Sequence, residues 1–225
     1  MNQLGFEDLL VRGRADRRRK RPGPKPGPRP AERHRARPLH RPATPLLITL
    51  RGVAGLPSFR RQTLFRAFDR AFRDTRREDF RIVEFSVQDD HVHLLVEADD
   101  SAALSRGMKS FSVRANRLYN AAHGRGRGRV WADRYHRRDL TSPRQVRNAL
   151  VYTLQNAKKH FRIRHGRPSL DPCSSGPWFQ GWTAVRTPRP EEGPPPTERA
   201  TTWLLRVGWR RHGLIHPGEA PRRAF

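Results

Sequence analysis

The chain has 225 residues, of which 35% are hydrophobic, and its net charge is +26 at pH 7 with a pI of about 11.8. A core is therefore expected over only part of the length. The Arg excess favours a polyanionic partner such as nucleic acid, although a general compositional drift towards Arg would give the same charge. One cysteine excludes an internal disulfide, and no apolar run of membrane-spanning length or secretory leader occurs, so we expect a cytoplasmic protein without a membrane partner.

Residues 1–43 are predicted to form a disordered basic arm. Residues 1–45 contain 13 Lys or Arg, 4 Asp or Glu and 8 Pro, and proline occupies every second position from Pro22 to Pro30. Such a stretch favours neither helix nor sheet, because proline lacks the backbone donor and the like charges repel one another. Two interpretations stay open: an arm that follows nucleic-acid phosphates, or a solvated tail.

Two predicted elements open the domain that we place at residues 44–163. A run rich in branched residues, at 46–53, predicts a strand. Pro57 and Ser58 precede a long segment of helical periodicity, which predicts an amphipathic helix. Its apolar positions are Leu64, Phe68 and Phe72.

A β-hairpin is predicted next, from two alternating runs on either side of a polar turn at residues 88–90. The apolar positions of the two runs are Val83, Phe85 and Val87, then Val92, Leu94 and Val96. Alternation of this kind is typical of strands that bury one face.

Three more elements complete the domain. A second helix begins at Ser101 and ends in a Gly/Arg loop at 124–129, a fourth strand covers 130–140, and a third helix runs from Pro143 to about His160. The order β-α-β-β-α-β-α predicts an α+β fold of the ferredoxin-like split βαβ type. We expect a four-stranded antiparallel sheet with two helices on one face and the third helix on the other.

Residues 164–225 are predicted to be a C-terminal extension. It contains a compact aromatic segment at 172–182, a linker at 187–196 and a terminal helix at 197–215. The aromatic side chains expected to pack against the domain are Trp178, Phe179 and Trp182. The apolar side of the terminal helix is expected to carry Trp203, Leu204, Val207 and Leu214.

His91 and His93 are the first candidates for chemistry. They lie two residues apart on the third predicted strand, so both imidazoles point to one face while Val92 and Leu94 point to the other. Two imidazoles side by side on a strand form half of a metal site. A pair of half-exposed histidines without a ligand is the simpler alternative.

Tyr152 and Asn156 lie on the third predicted helix. The apolar stripe of this helix is Val146, Leu150, Leu154, Ala157 and Phe161. Tyr152 lies about 160° from the centre of that stripe, and Asn156 and Lys159 share its side of the helix. An exposed surface tyrosine is the alternative to a functional one.

Together these residues predict a site for phosphoryl transfer. Two imidazole nitrogens and one amide oxygen can hold Mg²⁺ or Mn²⁺ and leave positions open for phosphate oxygens. The hydroxyl of Tyr152 would attack the polarised phosphate and form a phosphotyrosine. Because the bond energy is retained, a free 3′-hydroxyl can reverse the reaction, so the expected chemistry is strand transfer rather than simple hydrolysis.

Three motifs in this order resemble the HUH single-strand DNA transposases with one catalytic tyrosine, and most closely the REP-associated tyrosine transposases. They are DHVHLLVEA, GRVWADRYHRRDL and NALVYTLQNAKKH, and the resemblance covers residues 44–163. Asp90 stands where the family usually has Asn, and Ala157 where it usually has Pro. Neither change removes a required group, and alanine keeps the helix continuous.

The resemblance implies a role for each matched residue. His91 and His93 match the metal-binding pair, Tyr152 matches the nucleophile, and Asn156 matches the helix residue that completes the metal site. It also implies action on single-stranded or hairpin DNA, often hairpins from repetitive extragenic palindromes, with a 5′-phosphotyrosine and a free 3′-hydroxyl as products. Asp90 is either a residue that supports His91 or a turn residue.

Several further basic residues are candidates for contact with DNA, although a solvated basic surface would explain their presence too. They are Arg125, Arg127 and Arg129 in the glycine-rich loop, and Arg137, Arg138, Lys158 and Lys159. Trp131 and Tyr135 share one side of the fourth predicted strand and either stack on bases or, as we prefer, pack in the core.

Two other functions compete with a strand transferase. One is a non-catalytic hairpin-binding protein derived from such a transposase, and the other is a metal-dependent phosphodiesterase that uses water. The complete set of His, His, Tyr and Asn argues against pure binding. The sequence leaves open the DNA target and whether the protein is a monomer or a homodimer that shares its active site.

Overall fold

The structure is a computed structural model that describes residues 38–161, 170–183 and 193–221, with the backbone alone over 157–161. The predicted basic arm up to residue 37 lies outside the described residues, as does part of the predicted linker. The domain boundaries proposed from the sequence therefore stay predictions.

A four-stranded antiparallel sheet forms the centre of the fold, with the strand order β2-β3-β1-β4. The strands are β1 (Leu46–Arg51), β2 (Phe80–Val87), β3 (His91–Ala98) and β4 (His136–Asp139). Helix α1 (Gln62–Arg73) connects β1 to β2, and helix α2 (Ser101–Ala122) connects β3 to β4. This is the split βαβ topology, so the predicted α+β, ferredoxin-like fold is confirmed.

Helices α1 and α2 pack on one face of the sheet, as predicted. Alternate residues of β3 and the apolar stripe of α1 meet there in a single buried cluster. Its members from β3, α1 and α2 include Val92, Leu94, Val96, Leu64, Phe68, Phe72, Leu104, Met108 and Phe111. Among the described residues, no helix is both long enough and apolar enough to cross a membrane.

Helix α3 (Pro143–Phe161) covers the opposite face, also as predicted. Its buried residues Val146, Leu150 and Leu154 join Leu47 and Leu95 from the sheet. The helix is buried on more sides than an amphipathic pattern indicates, because the C-terminal segments pack against it. Their contributions to this second cluster are Phe179, Trp182, Leu205, Trp209 and Ile215.

Polar contacts also hold the C-terminal segments to α3. The guanidinium of Arg147 pairs with Glu219 at 2.7 Å and donates to the carbonyl oxygens of Gly213 and Leu214. The buried Gln155 donates to the carbonyl of Pro217 at 3.0 Å. Helix α3 is therefore held between the sheet and the C-terminal extension.

The predicted terminal helix at 197–215 is wrong. The chain forms a four-residue helix, α4 (Trp203–Arg206), followed by a 3₁₀ turn at Gly208–His212. Thr201 and Thr202 are fixed by the buried carboxylate of Glu97, which accepts their backbone and hydroxyl hydrogen bonds at 2.7 to 3.0 Å. Glycine favours helix poorly, so Gly208 helps to end the α-helix.

The apolar side assigned to that helix is wrong for three of its four residues, and only Leu204 packs against the second cluster. Trp203, Val207 and Leu214 are 49%, 46% and 40% exposed, whereas Leu205 and Trp209 are buried. The break after Arg206 changes the side-chain phase, so a continuous helical periodicity does not apply.

Two other predicted elements are shorter in the structure. Helix α1 begins at Gln62 rather than near Pro57, and β4 covers four residues instead of eleven. Before β4, Trp131 makes an isolated bridge with Gly52, and the Arg129 guanidinium donates to the carbonyl oxygens of Trp131 and Ala132. Those side-chain bonds occupy acceptors that a regular ladder would use.

An aromatic-rich segment closes the β2 edge of the sheet. Ser174 forms a bridge with Ser86, and the amide of Ser175 donates to the carbonyl of Phe85 at 3.0 Å. The hydroxyl of Ser175 donates to Glu84, which is fully buried. Burial raises the pKa of the Glu84 carboxyl to about 8, in spite of that hydrogen bond.

We predict that Glu84 makes the protein less stable at alkaline pH. A carboxyl whose pKa is about 8 in the folded chain, against an ordinary value of 4.5, binds its proton more tightly when folded. Its contribution to the free energy of unfolding is complete below the ordinary pKa and is lost as the pH rises through 8. Each pKa unit corresponds to about 1.4 kcal/mol, so the expected loss is several kcal/mol.

Urea unfolding at acid and alkaline pH measures this loss. Glu84→Gln should remove most of the pH dependence, whereas Glu78→Gln, at an exposed position, should leave it unchanged. Equal slopes of stability against pH in the wild type and Glu84→Gln would contradict the prediction.

Candidate active site

The two histidines of β3 face helix α3, on the side of the sheet away from α1 and α2. The ring centroids of His91 and His93 lie 4.7 Å apart with an interplanar angle of 78°. His93 is buried, whereas His91 lies at the end of the strand and is partly exposed. The structure therefore brings the predicted pair together.

Each histidine is oriented by an oxygen atom at its Nδ1. His91 Nδ1 donates to the carboxylate of Asp90 at 2.7 Å, and His93 Nδ1 shares a hydrogen bond with Thr49 Oγ1 at 3.0 Å. A carboxylate only accepts, so the proton of His91 is on Nδ1 and its Nε2 is the nitrogen that can coordinate a cation. Hydrogen bonding from His91 is the main reason that the pKa of Asp90 is lowered.

Tyr152 lies against the histidine pair. Its ring centroid is 4.8 Å from that of His93, with an edge-on interplanar angle of 67°. The side chain is half-buried, and this burial raises the pKa of the phenol above its ordinary value. The structure thus places the predicted tyrosine beside the predicted histidines, on the neighbouring layer.

Asn156 follows Tyr152 by one turn of α3 and is 1% exposed. Among the described residues, neither Oδ1 nor Nδ2 of its side chain has a hydrogen-bond partner. An unsatisfied buried amide is costly, and a ligand is one explanation for such a group in a native fold.

The donor set fits a small divalent cation. Within the described residues, no group of three or more His, Cys, Asp or Glu side chains could hold a metal ion, so any site here depends on a neutral amide as well as imidazoles. The unsatisfied oxygen of Asn156, one helical turn after Tyr152, would supply such a donor, and Asp90 and Thr49 make hydrogen bonds to the imidazoles of the kind that supporting residues of metal sites make. Amide oxygen is a donor that suits Mg²⁺ and Mn²⁺, and imidazole nitrogen is a donor that divalent transition metals accept.

Two arginines of the glycine-rich loop at 124–129 make hydrogen bonds within the fold. Arg125 donates to Asn120 at 2.9 Å, and Arg129 donates to the main chain of the segment before β4. Arg127 is exposed. Two of the three predicted DNA-contacting arginines therefore also brace the loop.

The other residues predicted to contact DNA differ in their exposure and in their hydrogen-bond partners. Arg137 forms a fork with Asp139 at 2.9 Å and its side chain is mostly buried, while Arg138 is partly exposed. Lys158 and Lys159 lie on the last part of α3, where the side chains are outside the described residues. Contact of any of these residues with DNA stays a prediction.

Most of the aromatic residues near β4 and in the C-terminal extension pack in the two hydrophobic clusters. Trp131 is buried in the core with α1 and α2, and Tyr135 is partly buried against it. Phe179 and Trp182 are buried against α3, as expected, and Trp178 is only partly buried.

Two residues near the site were missed from the sequence. Thr49 faces His93 across β1 and β3, and Arg51 faces His91 in the next same-side position. A lone hydroxyl inside the apolar run of β1 is the signal that could have identified Thr49. Arg51 is exposed and lies near enough to Asp90 to help lower its pKa, so it is a cation at the mouth of the site.

We predict that the phenol of Tyr152 titrates above pH 10 in the metal-free protein, because burial disfavours the phenolate. The chain has three tyrosines, so an ultraviolet titration of the wild type minus that of Tyr152→Phe isolates this group. A difference midpoint below the ordinary value would contradict the environment described here.

A family model and a solved structure match parts of this chain. The family model described as "Transposase IS200 like" matches residues 60–151, which include both histidines and stop one residue before Tyr152. No curated protein sequence matches the chain.

A solved structure shares the fold. It is the structure of a REP-associated tyrosine transposase bound to a REP hairpin, with a TM-score of 0.50 and 15% sequence identity over 63% of this chain and 81% of that one. At this identity the likeness concerns the fold. The family match confirms a resemblance to the IS200-like transposases, and the REP-associated tyrosine transposase has the same fold as this chain.

Proposed function

We propose that the protein is a metal-dependent single-stranded DNA endonuclease and strand transferase, a transposase that acts on hairpin DNA through a 5′-phosphotyrosine on Tyr152. The observation that carries the proposal is the contact of the Tyr152 ring with His93, on the face where His91 also points. The IS200-like family match and the hairpin bound in the neighbouring structure support it.

His91, His93 and Asn156 would hold Mg²⁺ or Mn²⁺. When bound, the cation supplies polarisation of the scissile phosphate and offsets charge that develops on its oxygens. Asp90 and Thr49 keep the Nδ1 atoms engaged, so that the Nε2 atoms are the ones presented for binding. The buried amide of Asn156 contributes its oxygen from the facing helix.

Tyr152 is the nucleophile of the proposed reaction. Its hydroxyl oxygen attacks the phosphorus, the bond between phosphorus and the 3′-oxygen breaks, and the phenolic proton is transferred away as the 3′-oxygen becomes a hydroxyl. The 5′ side of the break stays joined to the tyrosine. Attack by a free 3′-hydroxyl on that phosphotyrosine reverses the bond changes and restores the phenol, which joins two DNA ends.

Because Tyr152 is half-buried, its hydroxyl is expected to react only with a phosphate that is already polarised. Burial raises the pKa of the phenol, so the free chain holds it in the neutral form at physiological pH. Attack therefore requires a polarised phosphate beside it, which restricts the reaction to DNA that reaches the histidine face. Arg side chains at the surface would attract the strand and hold its backbone.

We expect Tyr152→Phe to abolish covalent attachment of DNA. The assay incubates the protein with a labelled single-stranded hairpin and Mn²⁺, denatures it, and detects protein that has retained the label. Tyr119→Phe is the matched control, because it also removes one phenol but at a buried position in the α2 core.

Different outcomes separate the competing functions. Cleavage without an adduct in the wild type would point to attack by water, and binding without cleavage across several hairpins would point to a binding protein. His91→Ala should abolish the adduct and leave salt-sensitive DNA binding largely intact, since many phosphate contacts carry the affinity. Full activity of His91→Ala at matched metal concentration would remove the histidines from the proposal.

We also expect Asp90→Ala to weaken Mn²⁺ binding by about 10- to 100-fold, because residues that orient metal-binding histidines have effects of this size. Asp90→Asn is the matched control, since its amide oxygen can still accept from His91 Nδ1. Electron paramagnetic resonance of free Mn²⁺ measures both affinities without DNA or turnover. Equal affinities for Asp90→Ala and the wild type would show that Asp90 is only a turn residue.

A further inference from the structure

Gln88 is a buried amide at the end of β2, beside the candidate active site. The sequence pattern assigned it to the turn of the hairpin, yet its side chain is only 1% exposed. Its backbone N–H donates to the carbonyl oxygen of His91 at 2.8 Å, so the tight turn lies at residues 89–90. Gln88 therefore belongs to the strand pairing of β2 and β3 rather than to the loop.

The strand register points the Gln88 side chain to the face of the sheet that carries the histidines. Val87 is buried in the cluster beneath α1 and α2. Because alternate residues of a strand face opposite ways, Ser86 and Gln88 point towards α3. Ser86 lies opposite His93 in the ladder, and the same register puts Gln88 opposite His91. Side chains that are directly opposite on one face have Cβ atoms about 4.5–5.5 Å apart.

The amide of Gln88 makes one side-chain hydrogen bond and leaves its oxygen unsatisfied. Nε2 donates to Ser86 Oγ at 2.6 Å, which fixes the orientation of the amide. Among the described residues, the buried Oε1 atom has no hydrogen-bond partner. Burial of an acceptor without a donor is unfavourable, so a native fold that keeps such an atom calls for a physical explanation.

Helix α3 adds unsatisfied polar atoms on the elements that enclose the same face. It packs against both β2 and β3. Within the part of the chain that the structure describes, Thr153 Oγ1 and both amide atoms of Asn156 are buried and lack partners. Asn156 follows Tyr152 by one turn, and the ring of Tyr152 contacts that of His93. The sheet and the helix thus each contribute an amide oxygen that needs an electropositive partner.

A divalent cation is the electropositive partner that suits both amide oxygens and the histidines. Carbonyl oxygens of Asn and Gln side chains are ligands of hard cations. With Gln88 included, the donor set contains two imidazoles and two amide oxygens, and this oxygen share favours Mg²⁺ or Mn²⁺ over Zn²⁺. A buried water is the alternative partner for the Gln88 oxygen, and its presence would not depend on the cation.

We propose that Oε1 of Gln88 is a further ligand of the cation held by His91, His93 and Asn156. The proposal rests on the proposed function for the existence of the cation site, and it deepens that function by adding a donor from β2. Gln88 lies just before the motif that contains the histidines, so the family resemblance assigns it no role. Ser86 is then a positioning residue, because it engages Nε2 and leaves Oε1 for the cation.

Binding of Mn²⁺ tests the role of Gln88 without DNA or turnover. Electron paramagnetic resonance of free Mn²⁺ gives the affinities of the wild type, Gln88→Leu and Gln88→Glu. Gln145→Leu is the matched control, because it removes a glutamine at the start of α3 that accepts a hydrogen bond from Thr141 at 2.7 Å. His91→Ala reports on the cation site as a whole, and thermal unfolding with a chelator verifies that each variant folds.

We expect Gln88→Leu to weaken Mn²⁺ binding at least about tenfold, because loss of a residue that only orients a metal ligand already costs about 10- to 100-fold. Gln88→Glu should bind Mn²⁺ at least as tightly as the wild type, since a carboxylate oxygen is a preferred ligand. Its affinity should also rise more steeply with pH, because the buried carboxyl must lose its proton to bind. Gln145→Leu should match the wild type.

A purely structural role of Gln88 would not give this rescue by glutamate. Wild-type affinity in a folded Gln88→Leu would overturn the inference and assign the Oε1 atom to water. An equal loss of affinity in Gln88→Leu and Gln88→Glu would overturn it too, and Gln88→Glu carries the test if Gln88→Leu does not fold. In both cases a loss of Mn²⁺ binding in His91→Ala leaves the proposed function standing. A wild type that binds no Mn²⁺ would instead overturn the cation site of the proposed function, and this inference with it.

Discussion

The direction in which β3 points its alternate side chains is the constraint on which the candidate site depends. Val92, Leu94 and Val96 are buried between the sheet and the two crossover helices, and complete burial of one such side chain contributes about 1.5–3 kcal/mol. Because the side-chain period of a strand is two, the same packing points His91 and His93 to the opposite face. A slip of one residue would turn the imidazoles into the apolar core beneath α1 and α2 and turn the valines towards α3. The packing of the fold thus fixes the position of the chemistry.

The second half of the site depends on a part of the chain beyond the core domain. Tyr152 reaches His93 because α3 lies over the sheet, and α3 is held from its outer side by the C-terminal extension. Arg147 pairs with Glu219. The buried carboxylate of Glu97 on β3 accepts hydrogen bonds from Thr201 and Thr202, which directly precede α4. Glu97 lies on the same face of β3 as the histidines. Strand β3 therefore carries both imidazoles and also Glu97, which holds the C-terminal segment that packs over α3.

Features that depend on neighbouring residues could be predicted from the sequence, whereas features that depend on contacts distant in the sequence could not. Topology and the shared face of His91 and His93 follow from local periodicity, so they were predictable. Asn156 was expected on the polar side of α3 with Tyr152, and the pattern gave no sign of its nearly complete burial, because segments distant in the sequence enclose that helix. The terminal helix failed for a similar reason, since its start is fixed by Glu97 on a strand about a hundred residues earlier. Thr49 gave only the weak signal of one hydroxyl in an apolar run.

The protonation state of Tyr152 limits how the two halves of the site could react together. Burial raises the pKa of its phenol, and the carboxylate of Asp90 accepts a hydrogen bond from His91 Nδ1. A phenol that stays neutral is a weak nucleophile towards an unpolarised phosphate. In the proposed mechanism the nucleophile and one cation ligand, Asn156, lie on α3, and the two imidazoles lie on β3, so attack would need a phosphate that contacts both layers. Selectivity would then depend on which DNA can reach both layers.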